Sequence, residues 1–162
     1  MDSLRTLFQH HAWATLHLID HCAALPPEQL ELTVPGTAGT IAHTLAHLVG
    51  ADQRYLRRMD GQEPTVHERD QPRLAELRAA AETNEARWEA VLGRLDGIDV
   101  TIPAEPRQDP PYPEIRHARD LVVLQAIHHG NDHRTHICSI LGANGLEVPE
   151  LSGWEYFRVL NT

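Results

Sequence analysis

Four histidines lie within nine consecutive residues, from His128 to His136, in a stretch whose apolar residues recur at helical spacing. Each residue of an α-helix turns by about 100°, so His129 and His133 lie roughly 40° apart on the helix. His136 points in nearly the same direction, whereas His128 points about 100° away from His129. Three of the four imidazoles therefore share one face and border the apolar stripe of this helix.

Two imidazoles one helical turn apart can bind a single divalent metal ion, because their nitrogens converge at the Zn–N distance of about 2.0–2.1 Å. A complete site needs a third ligand from another element. The best candidate is His47, which borders the apolar stripe of a second helical segment. The alternative is a solvated helix face, since the chain contains 12 histidines and such pairs also arise without a ligand role.

Three further histidines, His10, His17 and His21, share a face of the first predicted helix. Their spacing permits a weak surface metal site. The alternatives are a solvated face or a contact with another subunit.

Asp52 falls on the apolar stripe of the second predicted helix. A buried carboxylate without a partner costs several kcal/mol, so we expect it to be paired. It either orients a metal-bound histidine or forms a structural hydrogen bond with Tyr55 or Trp13.

Length and composition set further bounds. The 162 residues are most simply one domain, residues 1–162, large enough to bury a core without disulfides. A net charge of −9 and the absence of lysine argue against a nucleic-acid surface. Cys22 and Cys138 lie in helical patterns, and neither a signal peptide nor a long apolar run is evident. We expect a cytoplasmic protein with reduced thiols and no membrane contact.

The apolar periodicity predicts four long helices. They cover residues 3–24, a second segment from a cap at Thr37 or Thr40 to residue 59, residues 72–95 and residues 115–141. A short helix over residues 152–160 follows. This pattern predicts an all-α fold, a four-helix bundle with a short C-terminal helix. Metal sites in such bundles are built from side chains of facing helices.

The segment from residue 96 to residue 114 contains five prolines and cannot be helical. Residues 100–102 are predicted to form one short strand. The segment either lines the site as a rigid wall that contacts a polar substrate or simply connects two helices. Under the first hypothesis the contacting side chains are Arg107, Asp109, Tyr112 and Glu114.

Short motifs in this order resemble the DinB/YfiT-like superfamily over nearly the whole chain. They are Trp13-Ala14, the Thr-Leu-Ala-His47-Leu segment, the His129-x-x-x-His133-Arg134 segment and the closing Trp154-x-Tyr156-Phe157. The resemblance implies a four-helix bundle in a variant of up-and-down topology, a homodimer in many members, and a divalent metal on three histidines. Carried onto this chain, the ligands are His47, His129 and His133.

Three positions depart from the family pattern. Asp132 stands where the family often has a second histidine, and Thr135 and His136 stand where it often has Gly-Gln. The three ligand positions are unaffected. His136, which points in nearly the same direction as the ligand pair, is a candidate fourth ligand or a base acting on a metal-bound water.

Three neutral imidazoles leave a metal with its charge and an open position, as in catalytic sites. We expect zinc, with nickel, iron and manganese as alternatives, and a metal-dependent thiol S-transferase or hydrolase. The small-molecule substrate would be joined by a low-molecular-weight thiol, which the family's activities imply. The alternative is a stress-induced metal-binding or scaffold protein without turnover, in which His136 or His43 closes the fourth position.

The first helix has more apolar surface than one core face needs, including Leu4, Leu7, Phe8 and Trp13. Surplus apolar surface usually contacts a partner. We therefore expect a homodimer that uses the first helix and part of a neighbouring element.

Overall fold

The computed structural model describes residues 2–105, 107 and 110–162. These residues form five α-helices: α1 (Ser3–Ala23), α2 (Ile41–Asp60), α3 (Leu74–Leu92), α4 (Arg119–Ala143) and α5 (Gly153–Leu160). Short 3₁₀ turns cover Pro27–Glu31, Glu68–Asp70 and Leu95–Gly97. Among the helices described, none has the length and apolarity needed to cross a bilayer.

Polar caps set the ends of the helices. Asp2 accepts a hydrogen bond from the Leu4 amide at the start of α1, and Thr40 accepts one from the His43 amide at the start of α2. Such caps satisfy amides that have no partner within the helix. Thr40 is thus the N-cap of α2, which was one of the two predicted alternatives. Gly61 ends α2 in the left-handed conformation, with φ of 77°.

The helices pack as a bundle in which α1 contacts α3 and α4, and α2 also contacts α3 and α4. The consecutive helices α1 and α2 therefore lie on a diagonal, unlike the neighbours of a simple up-and-down bundle. The predicted all-α four-helix bundle is confirmed. This arrangement sets the face of α2 that carries His47 against the face of α4 that carries His129.

The segment before α4 differs from the prediction. Ile102 and Ile115 exchange two backbone hydrogen bonds of 2.9 Å, and His117 adopts φ of 53°. The helix therefore begins at Arg119, four residues later than expected. The predicted strand over residues 100–102 is wrong for the described part of the chain, in which Ile102–Ile115 and Glu105–Tyr112 are isolated bridges.

A buried arginine joins α4 to α1. The Arg134 side chain is only 4% exposed, and its Nη1 donates to Thr15 Oγ1 at 2.9 Å and to the carbonyl oxygen of His11 at 3.3 Å. Its Nη2 donates to Asn131 Oδ1 at 2.6 Å. Nη1 also lies 3.3 Å from His11 Nδ1, which must accept because a guanidinium only donates. His11 therefore carries its proton on Nε2.

Asp52 completes this buried polar group from α2. Its Oδ1 accepts from Trp88 Nε1 at 2.8 Å and lies 3.6 Å from the protonated Nε2 of His11. These contacts favour a structural hydrogen-bonding role for Asp52 over the orientation of a metal-bound histidine. The expected partners Tyr55 and Trp13 are replaced by Trp88 and His11, because Asp52 points to the bundle centre, where α1 and α3 meet α2.

The histidines of α1 that were considered as a surface metal site have other contacts. His10 Nε2 lies 2.8 Å from the carbonyl oxygen of Leu151, and His21 Nε2 lies 3.0 Å from that of Glu147. Each ring thus donates a hydrogen bond to the segment before α5. His17 is exposed. This face of α1 holds the C-terminal segment in place, and no cluster of ligand atoms forms there among the residues described.

Gly130 permits the close approach of α1 and α4. A Cβ atom at this position would lie 2.3 Å from His11 Cε1 and 2.7 Å from His11 Nδ1, closer than real Cβ contacts come. His11 is only 4% exposed and is held by its contacts with Arg134 and Asp52. An L side chain at position 130 would therefore push the two helices apart.

We expect Gly130→Ala to destabilise the protein by about 1–3 kcal/mol through overpacking. Gly142→Ala, on the same helix, is the matched control, because its Cβ would meet only Val148 at 3.5 Å. That change should be neutral or stabilising by up to about 1 kcal/mol, since alanine favours helix. Urea unfolding of both variants measures the difference. Equal stabilities would contradict the close-packing argument.

Candidate metal centre

The structure brings His47 of α2 together with His129 and His133 of α4. One nitrogen from each ring lies within 4.8 Å of the other two. The Nε2 atoms of His47 and His129 are 3.0 Å apart, and the rings of His129 and His133 have centroids 4.2 Å apart. All three side chains are half-buried. The three histidines selected from the sequence thus form one cluster, here called the histidine cluster.

The dimensions of the histidine cluster fit one divalent ion. Two nitrogens bound to a tetrahedral Zn²⁺ at 2.0–2.1 Å lie about 3.3 Å apart, close to the 3.0 Å between His47 and His129. The Nδ1 atom of His133 is buried and has no hydrogen-bond partner among the residues described. A cation is one partner that would satisfy such a nitrogen. Imidazole donors suit zinc, copper, iron and nickel.

The histidines of α4 are held in the form that binds metals. Burial, together with the neighbouring His133 and His47, lowers the pKa of His129 to about 3. Burial, with His47 and His136 nearby, lowers the pKa of His133 to about 4. Both imidazoles are therefore neutral at pH 7 and offer a lone pair without first losing a proton.

Glu68 orients His47 from outside the cluster. Its Oε1 lies 3.1 Å from His47 Nδ1 and accepts a hydrogen bond from Arg54 Nη1 at 2.9 Å. Burial alone would raise the pKa of Glu68, but the hydrogen bond and charge of Arg54 lower it overall. An ionised carboxylate accepts the Nδ1 proton of His47 and leaves Nε2 free for a metal, as carboxylates do behind many metal-bound histidines. No motif in the sequence marks Glu68 as part of this site.

Two other histidines lie beside the cluster without joining it. The His136 ring is 5.4 Å from that of His133, and its Nδ1 is buried without a hydrogen-bond partner among the described residues. His43 is exposed, and its ring lies 6.4 Å from that of His47. In the part of the chain that is described, no fourth histidine, cysteine or carboxylate belongs to the cluster.

A cavity of about 780 Å³ lies beside Glu68 and His43, and none of the three clustered histidines is among the described residues that line it. Glu68 lines this cavity and also bonds His47. His43, in the first turn of α2, is a second lining residue. The remaining lining mixes polar and apolar side chains from three segments: Glu31, Thr40, Ala42, Ala46, Arg69, Gln71 and Pro72. The cavity is large enough for a small molecule.

The proline-rich segment makes contacts elsewhere. Ile102 and Ile115 pack against the core cluster that runs along the first half of α4, from Ala118 to Ala126. Arg107 and Tyr112 are exposed. No hydrogen bond joins either of them to the histidine cluster within the described chain. These contacts favour the connector interpretation. Asp109, also named in the wall hypothesis, lies outside the described residues.

The model of the DinB family matches residues 1–159 of this chain. The chain belongs to the DinB family. No curated protein matches it. Family membership confirms the resemblance seen in the motifs around His47 and His129. The histidine cluster of this DinB protein fits a metal ion, in keeping with the metal binding that the family implies.

We expect His133→Ala to abolish stoichiometric metal binding while changing the free energy of unfolding by less than about 1 kcal/mol, because the core does not require the ion. His128→Ala is the matched control, since His128 lies on the same helix but is exposed. Elemental analysis of both variants, purified without an affinity tag, gives the metal content. One tightly bound ion per chain in His133→Ala would contradict the assignment of His133 as a ligand.

Proposed function

We propose that this DinB-family protein is a metal-dependent enzyme whose ion is held by His47, His129 and His133. One observation carries the proposal: three imidazoles converge without a fourth ligand among the described residues, and Glu68, which bonds His47, also lines a cavity of about 780 Å³. Catalytic sites keep an open position of this kind, whereas structural sites are closed by a fourth ligand. A metal-binding or scaffold protein without turnover would need such closure, for which neither His43 nor His136 is placed.

A divalent ion at this centre would supply Lewis acidity that lowers the pKa of a bound water or thiol. The residues of the chain hold and orient it. His129 and His133 offer neutral nitrogens from one face of α4, and Glu68 fixes the ring of His47. Zinc is the metal we propose, with nickel, iron and manganese as alternatives.

His136 is the residue that we place as proton acceptor in the reaction. Its ring lies 5.4 Å from that of His133, and its Nδ1 has no hydrogen-bond partner among the described residues. A histidine close to a reacting group can accept a proton near neutral pH. The substrate is a small molecule, and the reaction is thiol S-transfer or hydrolysis.

A screen on protein loaded with Zn²⁺ tests this function, with pairs of low-molecular-weight thiols and electrophiles in one arm and esters and amides in the other. We expect turnover in one arm. His136→Ala should lower kcat by about 10²–10⁴-fold, the usual contribution of a general base, with an unchanged metal content. His128→Ala should retain full activity. Metal-loaded protein without turnover in either arm would favour the scaffold alternative.

We also propose a homodimer, with an interface that differs from the one expected. Phe8 is buried in the core, and Trp13 packs on Tyr156 at a ring distance of 5.4 Å, so α5 absorbs much of the apolar surface of α1. Leu7 of α1 is still 51% exposed, but the most exposed apolar side chains lie on α5, where Trp154 is 90% and Leu160 is 60% exposed. Such a face commonly contacts a partner.

Sedimentation at micromolar concentration should show a species of twice the 18.2 kDa chain mass. Trp154→Ser should shift it towards the monomer, because the change removes an aromatic side chain from the proposed interface. Tyr112→Ser is the control, since Tyr112 is 56% exposed but lies outside α5. A wild-type protein that sediments only as a monomer would contradict the dimer.

A further inference from the structure

The segment between α2 and α3, residues 62–72, is here called the strap. It contains no α-helix and only one short 3₁₀ turn, Glu68–Asp70. Glu68, at the start of that turn, is the residue that accepts from His47 Nδ1. The orientation of His47 therefore depends on where the strap lies relative to α2.

Gln53 of α2 fixes the strap by hydrogen bonds to Thr65 and Val66. Its Oε1 accepts from the backbone amides of Thr65 at 2.8 Å and Val66 at 3.0 Å, and its Nε2 donates to Thr65 Oγ1 at 3.2 Å. The side chain is only 1% exposed. A buried glutamine is costly unless its polar atoms are paired, so the strap and Gln53 satisfy each other.

The strap is also held by packing. Val66 is 5% exposed and belongs to the core cluster that contains Leu45 and Val49. Beneath it, Gly50 allows close approach, because a Cβ atom at position 50 would lie 3.2 Å from the Val66 carbonyl oxygen. The strap is thus fixed on α2 only two residues before Glu68.

We propose that Gln53 is a positioning residue for the metal centre. It touches neither the histidine cluster nor the cavity, and it acts by holding the strap so that Glu68 meets His47. The proposal rests on metal binding by His47, His129 and His133. A merely structural Gln53 would support the fold without affecting the affinity for metal.

The test compares Co²⁺ affinity and the visible absorption of bound Co²⁺ in the full-length protein and its variants. Gln53→Met keeps the size of the side chain but removes its hydrogen bonds. It should weaken Co²⁺ binding by about tenfold and alter the absorption spectrum, since partners that orient ligands are typically worth 10–100-fold in affinity. Glu68→Ala should weaken binding at least as much.

A double-mutant cycle shows whether Gln53 affects Co²⁺ affinity through Glu68 or through a general effect on the fold. In the Glu68→Ala background, Gln53→Met should change Co²⁺ affinity by less than about twofold, because the residue through which it acts is already gone. Asn84→Ala is the matched control: Asn84 is 3% exposed and bonds the Val49 carbonyl oxygen at 3.2 Å, away from the strap. It should lower stability and leave Co²⁺ affinity unchanged.

Gln53→Glu should restore binding to within a few-fold of wild type, because a carboxylate still accepts from both strap amides. If Gln53→Met does not fold, Val66→Ala tests the same route by loosening the apolar anchor, and it too should weaken Co²⁺ binding. Wild-type affinity in Gln53→Met or Val66→Ala, or equal losses with and without Glu68, would overturn the positioning role. Failure of the wild-type protein to bind Co²⁺ or Zn²⁺ would instead refute the proposed function itself.

Discussion

The buried contacts of Arg134 with His11, and of His11 with Asp52, fix the arrangement of the bundle. Taking a guanidinium and a carboxylate out of water costs several kcal/mol each unless their hydrogen bonds are replaced. Burial lowers the pKa of Arg134 to about 10, so the guanidinium remains charged at pH 7. Its Nη1 donors, and the Nε2 proton of His11, keep their partners only when α1, α2 and α4 are correctly aligned along the bundle axis. Slippage of any helix would leave a charge unpaired.

The relative positions of the three clustered histidines depend on this arrangement of the helices. Gly130 follows His129, and Arg134 follows His133, so the residues that fix α4 against α1 alternate along the chain with those that face α2. Asp52 plays the same part on α2, five residues after His47. Rigid elements hold a binding geometry better than loops do. The strap is the exception because it is an irregular segment. Its contacts through Gln53 and Val66 hold it in a fixed position on α2.

The sequence was informative where a pattern repeats along one helix. The face shared by His129 and His133 and the Thr40 cap both follow from helical periodicity and local hydrogen bonding. It was uninformative where a residue depends on the path of irregular chain. Glu68 was missed because nothing local indicates that the strap returns to His47. Likewise, the late start of α4 depends on the pairing of Ile102 with Ile115, and the partners of Asp52 depend on which helices are diagonal.

His47 and His129 are separated by 82 positions in the chain. Bringing these two residues together from the unfolded chain closes a large loop. The conformational entropy lost in this step is offset only when the helices dock. His129 and His133 alone offer two nitrogens on one helix, which is too few for tight binding. Tight binding of an ion at the histidine cluster would therefore be a late event in folding. For the same reason, release of the ion would report the separation of α2 from α4, and the metal would act as a built-in probe of tertiary structure.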